Sequence, residues 1–171
     1  MNKTALRPAV VGDEPYLHWL EEACMRAYAI ALWGNWKPRP ADALPLDEHR
    51  IIVADGEDVG CVSVTRREDH LWVNRLYVAP DHQKRGHGAF ALRRVLAEAV
   101  SIDLPLRLSV LTTNPAVAFY RREGLVIYEE TAERRFMTSD PRSAYQHLLI
   151  DELRTQAHPR RGQRGTRHER A

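Results

Sequence analysis

Cysteine is scarce in this sequence, which has two in 171 residues, Cys24 and Cys61. Two cysteines this far apart form neither a disulfide framework nor the ligand spacing of a zinc site. They are typical of a protein kept in a reducing compartment, so we predict a cytoplasmic location and no metal. No apolar run approaches the roughly 20 residues that span a bilayer, and the N-terminus has no signal-peptide pattern. The sequence therefore predicts no membrane attachment.

A strong net charge is also missing, because the formal value at pH 7 is +2. Residues 155–171 contain five arginines and one acid, and without them 20 basic and 22 acidic groups remain. That stretch has no apolar periodicity, so we predict a domain over residues 1–153 and a disordered arginine-rich tail over 154–171. A nucleic-acid-binding role for the tail is an alternative that ranks below solvated chain.

What is present is an ordinary globular composition, with 44% hydrophobic and 28% charged residues. Apolar patterning predicts strands and helices in alternation, and an Asp55-Gly56 turn predicts a hairpin. The predicted strands are 4–9, 49–54, 59–66, 71–78, 106–111, 125–130 and 134–138. A further helix over 143–153 is predicted on weaker patterning.

The first helix is predicted to begin at Glu14 behind an Asp13 cap and to end at Gly34. Its apolar face is predicted from residues spaced by three and four: Leu17, Leu20, Cys24, Ala27, Tyr28 and Ala31. A loop rich in proline and aromatic residues follows. Trp33 and Trp36 in this region have two interpretations, as a lid on the core or as the lining of a substrate pocket.

The most informative stretch is Gln83-Lys84-Arg85-Gly86-His87-Gly88, between the strand 71–78 and a helix that we predict over 89–99. A strand, a glycine turn and a helix in this order direct backbone N–H groups and the positive end of a helix dipole at an anion. The glycines let the backbone approach a phosphate closely. Lys84, Arg85 and His87 add donors, so the turn predicts a pyrophosphate-binding site.

A second motif begins at Asn114, predicted to cap a helix that starts at Pro115 and ends by Gly124. It reads Asn114-Pro115-Ala116-Val117-Ala118-Phe119-Tyr120-Arg121-Arg122-Glu123-Gly124-Leu125. With the first motif, it resembles the GCN5-related N-acetyltransferase (GNAT) superfamily over roughly residues 4–138. Two separate motifs in the right order are far more specific than either alone.

The resemblance implies an α/β fold with a mixed, mostly antiparallel central sheet. Six to seven strands would be flanked by about four helices and splayed between strands 4 and 5. It also implies acetyl-coenzyme A as the acetyl donor and a small-molecule or peptide amine as the acceptor. Homodimers formed through the final strands are common among similar proteins.

By the same resemblance, the donor's pyrophosphate would lie on the turn and its pantetheine along the fourth strand as an added strand. Asn114 would face the pantetheine, and Tyr120 would protonate the departing thiolate. The implied coenzyme contacts are Leu76, Tyr77, Val78, Gln83, Lys84, Arg85, Gly86, His87, Gly88, Ala89, Asn114 and Ala118.

The general base is not evident from the sequence. Several family members carry a glutamate on the fourth strand, whereas here we predict that Trp72, Asn74 and Leu76 share the relevant face. Asn74 would orient a water relay, or it is simply a polar strand residue. A non-catalytic acyl-coenzyme A sensor therefore remains the alternative to an N-acetyltransferase.

The acceptor site is predicted from the first helix and its following loop. Tyr28, Trp33 and Trp36 would offer apolar surface to the acceptor. Four glutamates are candidate partners for the positive charge of the acceptor amine: Glu21, Glu22, Glu129 and Glu130.

Overall fold

The computed structural model describes residues 3–40, 44–140 and 142. This part of the chain forms seven strands and three α-helices. The strands are β1 (Thr4–Pro8), β2 (His49–Ala54), β3 (Glu57–Arg66), β4 (Leu71–Val78), β5 (Leu106–Leu111), β6 (Val126–Glu130) and β7 (Arg134–Thr138). The helices are α1 (Glu14–Trp33), α2 (His87–Ser101) and α3 (Val117–Arg122). The predicted helix over 143–153 and the arginine-rich tail lie outside the described residues.

The strands form one sheet in the order β1-β2-β3-β4-β5-β7-β6, with β4 and β5 parallel and every other pair antiparallel. β4 and β5 pair only from Leu71 to Val73 against Leu106 to Leu108. Beyond those residues the two strands diverge and leave a gap in the middle of the sheet. The predicted mixed sheet with a splay between the fourth and fifth strands is therefore confirmed.

An irregularity in β4 corrects one prediction. Ser63 pairs with Arg75 and Val64 pairs with Val73, so Asn74 is an extra residue without a partner on β3. Such a bulge reverses the side-chain alternation of the residues that follow it. Leu76 consequently packs with the α2-side core, whereas Tyr77 packs with the α1-side cluster. The prediction that Leu76 shares a face with Trp72 and Asn74 was wrong.

The ends of α1 follow from local residues. Gly34 ends the helix in the left-handed conformation, with φ of 74°, and donates its N–H to the Ile30 carbonyl. Asp13 precedes the helix as predicted, but its carboxylate does not cap it. It accepts instead from the Val10 N–H and the Arg7 guanidinium, both at 2.8 Å. The Arg7 hydrogen bond holds the pKa of Asp13 below its usual value.

Two layers of apolar side chains lie on opposite faces of the sheet. The larger joins α2 to the sheet through Leu92 and Val95, and the smaller packs Leu17 and Leu20 of α1 against Ile51. Ala27 and Ala31, predicted on the buried face of α1, are exposed. The second half of α1 borders an open cleft instead of covering the sheet. No helix in the described ranges has the length and hydropathy to cross a bilayer.

Gly60 of β3 offers a stability test of this packing. A Cβ at Gly60 would lie 2.3 Å from the backbone oxygen of Tyr77, so β3 and β4 would have to separate. We expect Gly60→Ala to lower the free energy of unfolding by about 1–3 kcal/mol in urea titrations. Gly12→Ala is the control, because a Cβ there meets nothing within 4 Å. Equal stabilities for the two variants would contradict the register of β3 on β4.

Candidate active site in the sheet gap

The gap between β4 and β5 opens into a cleft of about 1330 Å³. Most of its lining comes from α1 with its following loop, β4, β5, the start of α2, and α3 with the preceding turn, and Glu48 and Phe136 add to it. The two sequence motifs therefore meet at one cavity, although they lie about 30 residues apart in the chain. An extended ligand could reach from one face of the sheet to the other through this gap.

One end of the cleft is the N-terminus of α2. Gly86 precedes the helix in the left-handed conformation, with φ of 89°, and its carbonyl accepts the first helical hydrogen bond from Phe90. The N–H groups from Gly86 to Ala89 therefore have no partner within the helix, and these residues line the cleft. Backbone donors and the positive end of the helix dipole meet here, as an anion requires.

The basic residues of this turn do not all reach the cleft. Lys84 lines the cleft, with φ of 61°, but Arg85 is not among the lining residues. The His87 ring is buried, and its Nδ1 lies 3.3 Å from the Thr4 hydroxyl on β1. The structure adds Arg122 of α3 to the cleft lining. Its place two residues after Tyr120 in the second motif was the only signal for it in the sequence.

The end of β4 presents backbone groups to the gap. The Ala79 N–H bonds the Val59 carbonyl on β3, so by alternation the polar groups of Leu76 and Val78 point to the opposite, open edge. Tyr77, between them, directs its backbone toward β3. The Val78 carbonyl accepts from the Gln83 side chain at 3.0 Å and from the Cys24 thiol at 3.3 Å. Gln83 thus ties the glycine turn to the strand.

Tyr120 lies on the α3 side of the cleft, within the larger core layer and edge-on to Phe119 at 5.0 Å. Burial raises the pKa of its hydroxyl above the usual value of about 10, so the phenol stays protonated near neutral pH. A protonated phenol at the cleft can donate a hydrogen bond or a proton.

Asn114 starts the turn before α3. Its side-chain oxygen accepts from the Ala116 N–H at 3.0 Å, and the helix begins at Val117 with Ala116 as its N-cap. The prediction of Asn114 as the N-cap was therefore wrong by two residues, because Asn114 closes a preceding side-chain turn. Asn114 and Ala118 both line the cleft, as predicted for coenzyme contacts.

A carboxylate that the sequence did not reveal lies next to Asn74. Glu48, just before β2, accepts from the Thr65 hydroxyl at 2.7 Å and from the Asn74 amide at 3.3 Å. Asn74 also donates to Thr65 at 2.8 Å. Glu48, Asn74 and Trp72 all line the cleft. β4 itself has no acidic residue, but Glu48, from the segment before β2, places a carboxylate next to Asn74.

A second charged group lies between α1 and the sheet. Arg75 is 7% exposed; it donates to His49 Nε2 at 3.0 Å and lies 3.6 Å from the Glu21 carboxylate. His49 Nδ1 lies 2.7 Å from the Pro45 carbonyl, so the ring is neutral, with its proton on Nδ1. Burial lowers the pKa of His49, which agrees with a neutral ring beside a guanidinium.

The predicted acceptor residues come together at this end of the cleft. Tyr28, Trp33 and Trp36 line it together with Trp72 and Phe136. Of the four glutamates considered, Glu21 lines the cleft, whereas Glu22 pairs with Arg26 and Glu130 pairs with Arg135 on the surface. Glu129 is exposed and is not among the lining residues. The aromatic and acidic groups therefore surround one compartment.

Residues 47–126 match the family model of the acetyltransferase (GNAT) domain. This match contains β2 to β5, both motifs and all of α2 and α3, and it confirms the resemblance drawn from the sequence. No curated protein is similar enough in sequence to count as a match.

Solved structures of similar fold include N-acetyltransferases from three different organisms. PaiA N-acetyltransferase of Thermoplasma acidophilum, in complex with coenzyme A, has a TM-score of 0.67 and 14% identity, covering 81% of this chain and 99% of its own. The Escherichia coli ribosomal-protein-S18-alanine N-acetyltransferase has a TM-score of 0.62 and 16% identity, covering 80% and 92%. Arabidopsis thaliana Naa50, bound to a bisubstrate analogue, has a TM-score of 0.62 and 18% identity, covering 80% and 98%. At these identities the likeness shows the fold.

Proposed function

We propose that this chain, whose residues 47–126 match the acetyltransferase (GNAT) domain, is an N-acetyltransferase that moves an acetyl group from acetyl-coenzyme A directly to a primary amine. The observation that carries the proposal is the cleft through the sheet. It has an anion-binding helix N-terminus at one end and a protonated buried phenol beside the gap. Carboxylates lie at its other end, where an ammonium would be held.

The donor would extend from the turn into the gap. Its pyrophosphate would accept from the N–H groups of Gly86 to Ala89, with Lys84 and Arg122 adding positive charge. Its pantetheine amides would pair with Leu76 and Val78, whose backbone groups face the open edge of β4. Asn114 and Ala118 would contact the same arm from the side of α3.

Besides the exchange of bonds, the acceptor nitrogen must lose two protons and the leaving sulfur must gain one. The acceptor ammonium first loses a proton to a base, and its nitrogen then attacks the thioester carbonyl carbon. As the C–N bond forms and the C–S bond breaks, Tyr120 donates its proton to the leaving sulfur. The base releases its first proton to solvent and then takes the excess proton from nitrogen, while solvent reprotonates the Tyr120 phenolate. We assign Glu48 as that base and Asn74 as the residue that holds it, directly or through one water.

Coenzyme binding can be tested at two adjacent residues of the turn, of which one lines the cleft and the other does not. Lys84 lines the cleft and Arg85 does not. We expect Lys84→Gln to raise the Kd for coenzyme A about tenfold in calorimetry, since it removes one charged phosphate contact. Arg85→Gln is the control and should leave the Kd unchanged. Equal losses would show that the turn attracts the coenzyme only by net charge.

Turnover separates the enzyme from a non-catalytic acyl-coenzyme A sensor. Incubation with acetyl-coenzyme A and a panel of primary amines should release free thiol and acetylated amine in equal amounts. A sensor would bind coenzyme A without releasing thiol. Folded protein that shows no heat with coenzyme A or acetyl-coenzyme A would refute both functions.

A further inference from the structure

Buried donors without acceptors concentrate on one wall of the cleft. Among the described residues, four buried side-chain nitrogens have no hydrogen-bond partner: Trp36 Nε1, Arg75 Nε, Arg75 Nη2 and Arg107 Nε. Trp36 and Arg75 line the cleft, whereas Arg107 does not. A buried donor without a partner costs free energy, and an orphaned donor in a native structure points to a ligand or water that completes it.

The ionic contacts of Arg75 are also incomplete. Glu21 is the carboxylate nearest to Arg75, at 3.6 Å, and it also accepts from Arg39 at 3.3 Å. His49, the hydrogen-bonded partner of Arg75, is neutral. Arg75, which is 7% exposed, therefore contacts one carboxylate, and the Arg39 side chain, 45% exposed, competes for it. A buried guanidinium whose N–H groups are not all paired is best completed by an anionic acceptor.

An anion that completed this wall would come from the acceptor side of the cleft. Arg75 faces α1, through Glu21, whereas the anion-binding turn opens α2 on the opposite face of the sheet. The donor's phosphates are accounted for at that turn. Trp36 belongs to the loop after α1, at the aromatic end of the cleft.

We propose that the acceptor is a small amine that also carries a carboxylate, that is, a free amino acid, an inference that rests on the acetyl transfer proposed above. Its carboxylate accepts from Arg75 and the Trp36 indole, and its amine points to Glu48. Asn74, which holds Glu48, precedes Arg75 in β4, and the bulge at Asn74 places both side chains on the α1 face of the sheet. Trp72 and Phe136, 6.4 Å apart, offer apolar surface to the side chain.

Matched acceptors test the proposal on the wild-type protein. We expect kcat/KM for an amino acid to exceed that for its decarboxylated amine by about tenfold to a hundredfold, as a lost charge-assisted contact implies. Suitable pairs are leucine with isopentylamine, phenylalanine with phenethylamine, and tryptophan with tryptamine. The amino-acid amides should behave like the decarboxylated amines. A preference for the decarboxylated amines or the amides would overturn the proposal and leave the acetyltransferase function intact.

A conservative variant tests the wall itself. Trp36→Phe removes the indole N–H and keeps an aromatic ring, and we expect a threefold to tenfold loss of kcat/KM for amino acids only. Trp19→Phe is the matched control, since Trp19 is 50% exposed and does not line the cleft. Neither variant should change the Kd for coenzyme A. Equal effects on amino acids and decarboxylated amines would contradict carboxylate recognition.

Binding supplies an independent readout if no amine in the panel is acetylated. With coenzyme A bound, N-acetyl amino acids should quench tryptophan fluorescence at lower concentration than the N-acetyl derivatives of the decarboxylated amines. Equal affinities would overturn the proposal. Failure of coenzyme A itself to bind would refute the acetyltransferase, and that result is distinct from either outcome with the acceptors.

Discussion

Replacing Tyr120 by phenylalanine is expected to lower kcat about a hundredfold while the Kd for coenzyme A stays unchanged. A positioned general acid contributes this much or more to a proton transfer. Tyr120 lines the cleft beside the gap between β4 and β5, and burial raises the pKa of its hydroxyl. The phenol is therefore protonated at the pH where a thiolate would leave. Phenylalanine keeps the ring that packs edge-on against Phe119.

The pH dependence of kcat tests whether Tyr120 acts as the acid. Catalysis needs the protonated phenol. Titration of Tyr120 therefore lowers kcat only as the pH rises through the pKa of its hydroxyl. That pKa is raised above the ordinary value of about 10, so the resulting alkaline limb of kcat should lie above pH 10. The limb should be absent from the pH profile of Tyr120→Phe.

Two observations keep this test from being confused with a packing effect. Tyr128→Phe removes a phenol from β6 that does not line the cleft, and it should retain wild-type kcat. Urea unfolding should show that Tyr120→Phe is folded under the assay conditions. If Tyr120→Phe retained more than half of wild-type kcat, Tyr120 would be a core residue and water would protonate the thiolate.

Local signals in the sequence predicted most of the elements. Asp55-Gly56 makes the hairpin turn with positive φ at both residues, although the strands approach it more closely than the predicted four-residue connection. Gly34 ends α1 where expected, and β4 and β5 have the predicted bounds. These features depend on residues that are neighbours in the chain, which is why a single sequence reveals them.

Features set by pairing between distant segments were not predictable. The bulge at Asn74 arises from the register of β4 on β3, and it moved Leu76 to the opposite face. The orientation of His87 depends on Thr4, 83 residues earlier, which draws the ring away from the turn. No pattern within β4 or α2 contains that information.

Glu48 was missed for the same reason, and it is the missed residue that matters most for catalysis. It lies 26 residues before Asn74 and reaches it through the pairing of β2 with β3 and β3 with β4. A search for an acid on the fourth strand misses it, because the acid stands at the start of another strand. Its contacts with Thr65 and Asn74 hold it at the wall of the cleft.

Glu48→Gln is expected to lower kcat/KM about a hundredfold or more near neutral pH, since it removes the general base. Glutamine keeps an oxygen that accepts from Thr65, so the geometry around Asn74 should persist. Asp47→Asn is the matched control, because Asp47 is exposed and does not line the cleft. Both variants should bind coenzyme A as the wild type does.

The pH profile distinguishes a base from a residue that only binds the acceptor. Without a base, the reaction depends on acceptor molecules that are already neutral, and their fraction rises about tenfold per pH unit below an amine pKa near 10. The rate of Glu48→Gln should therefore climb with pH and approach that of the wild type in alkaline solution. A deficit that stayed constant with pH would indicate lost binding, and the proton would then leave through a water held by Asn74.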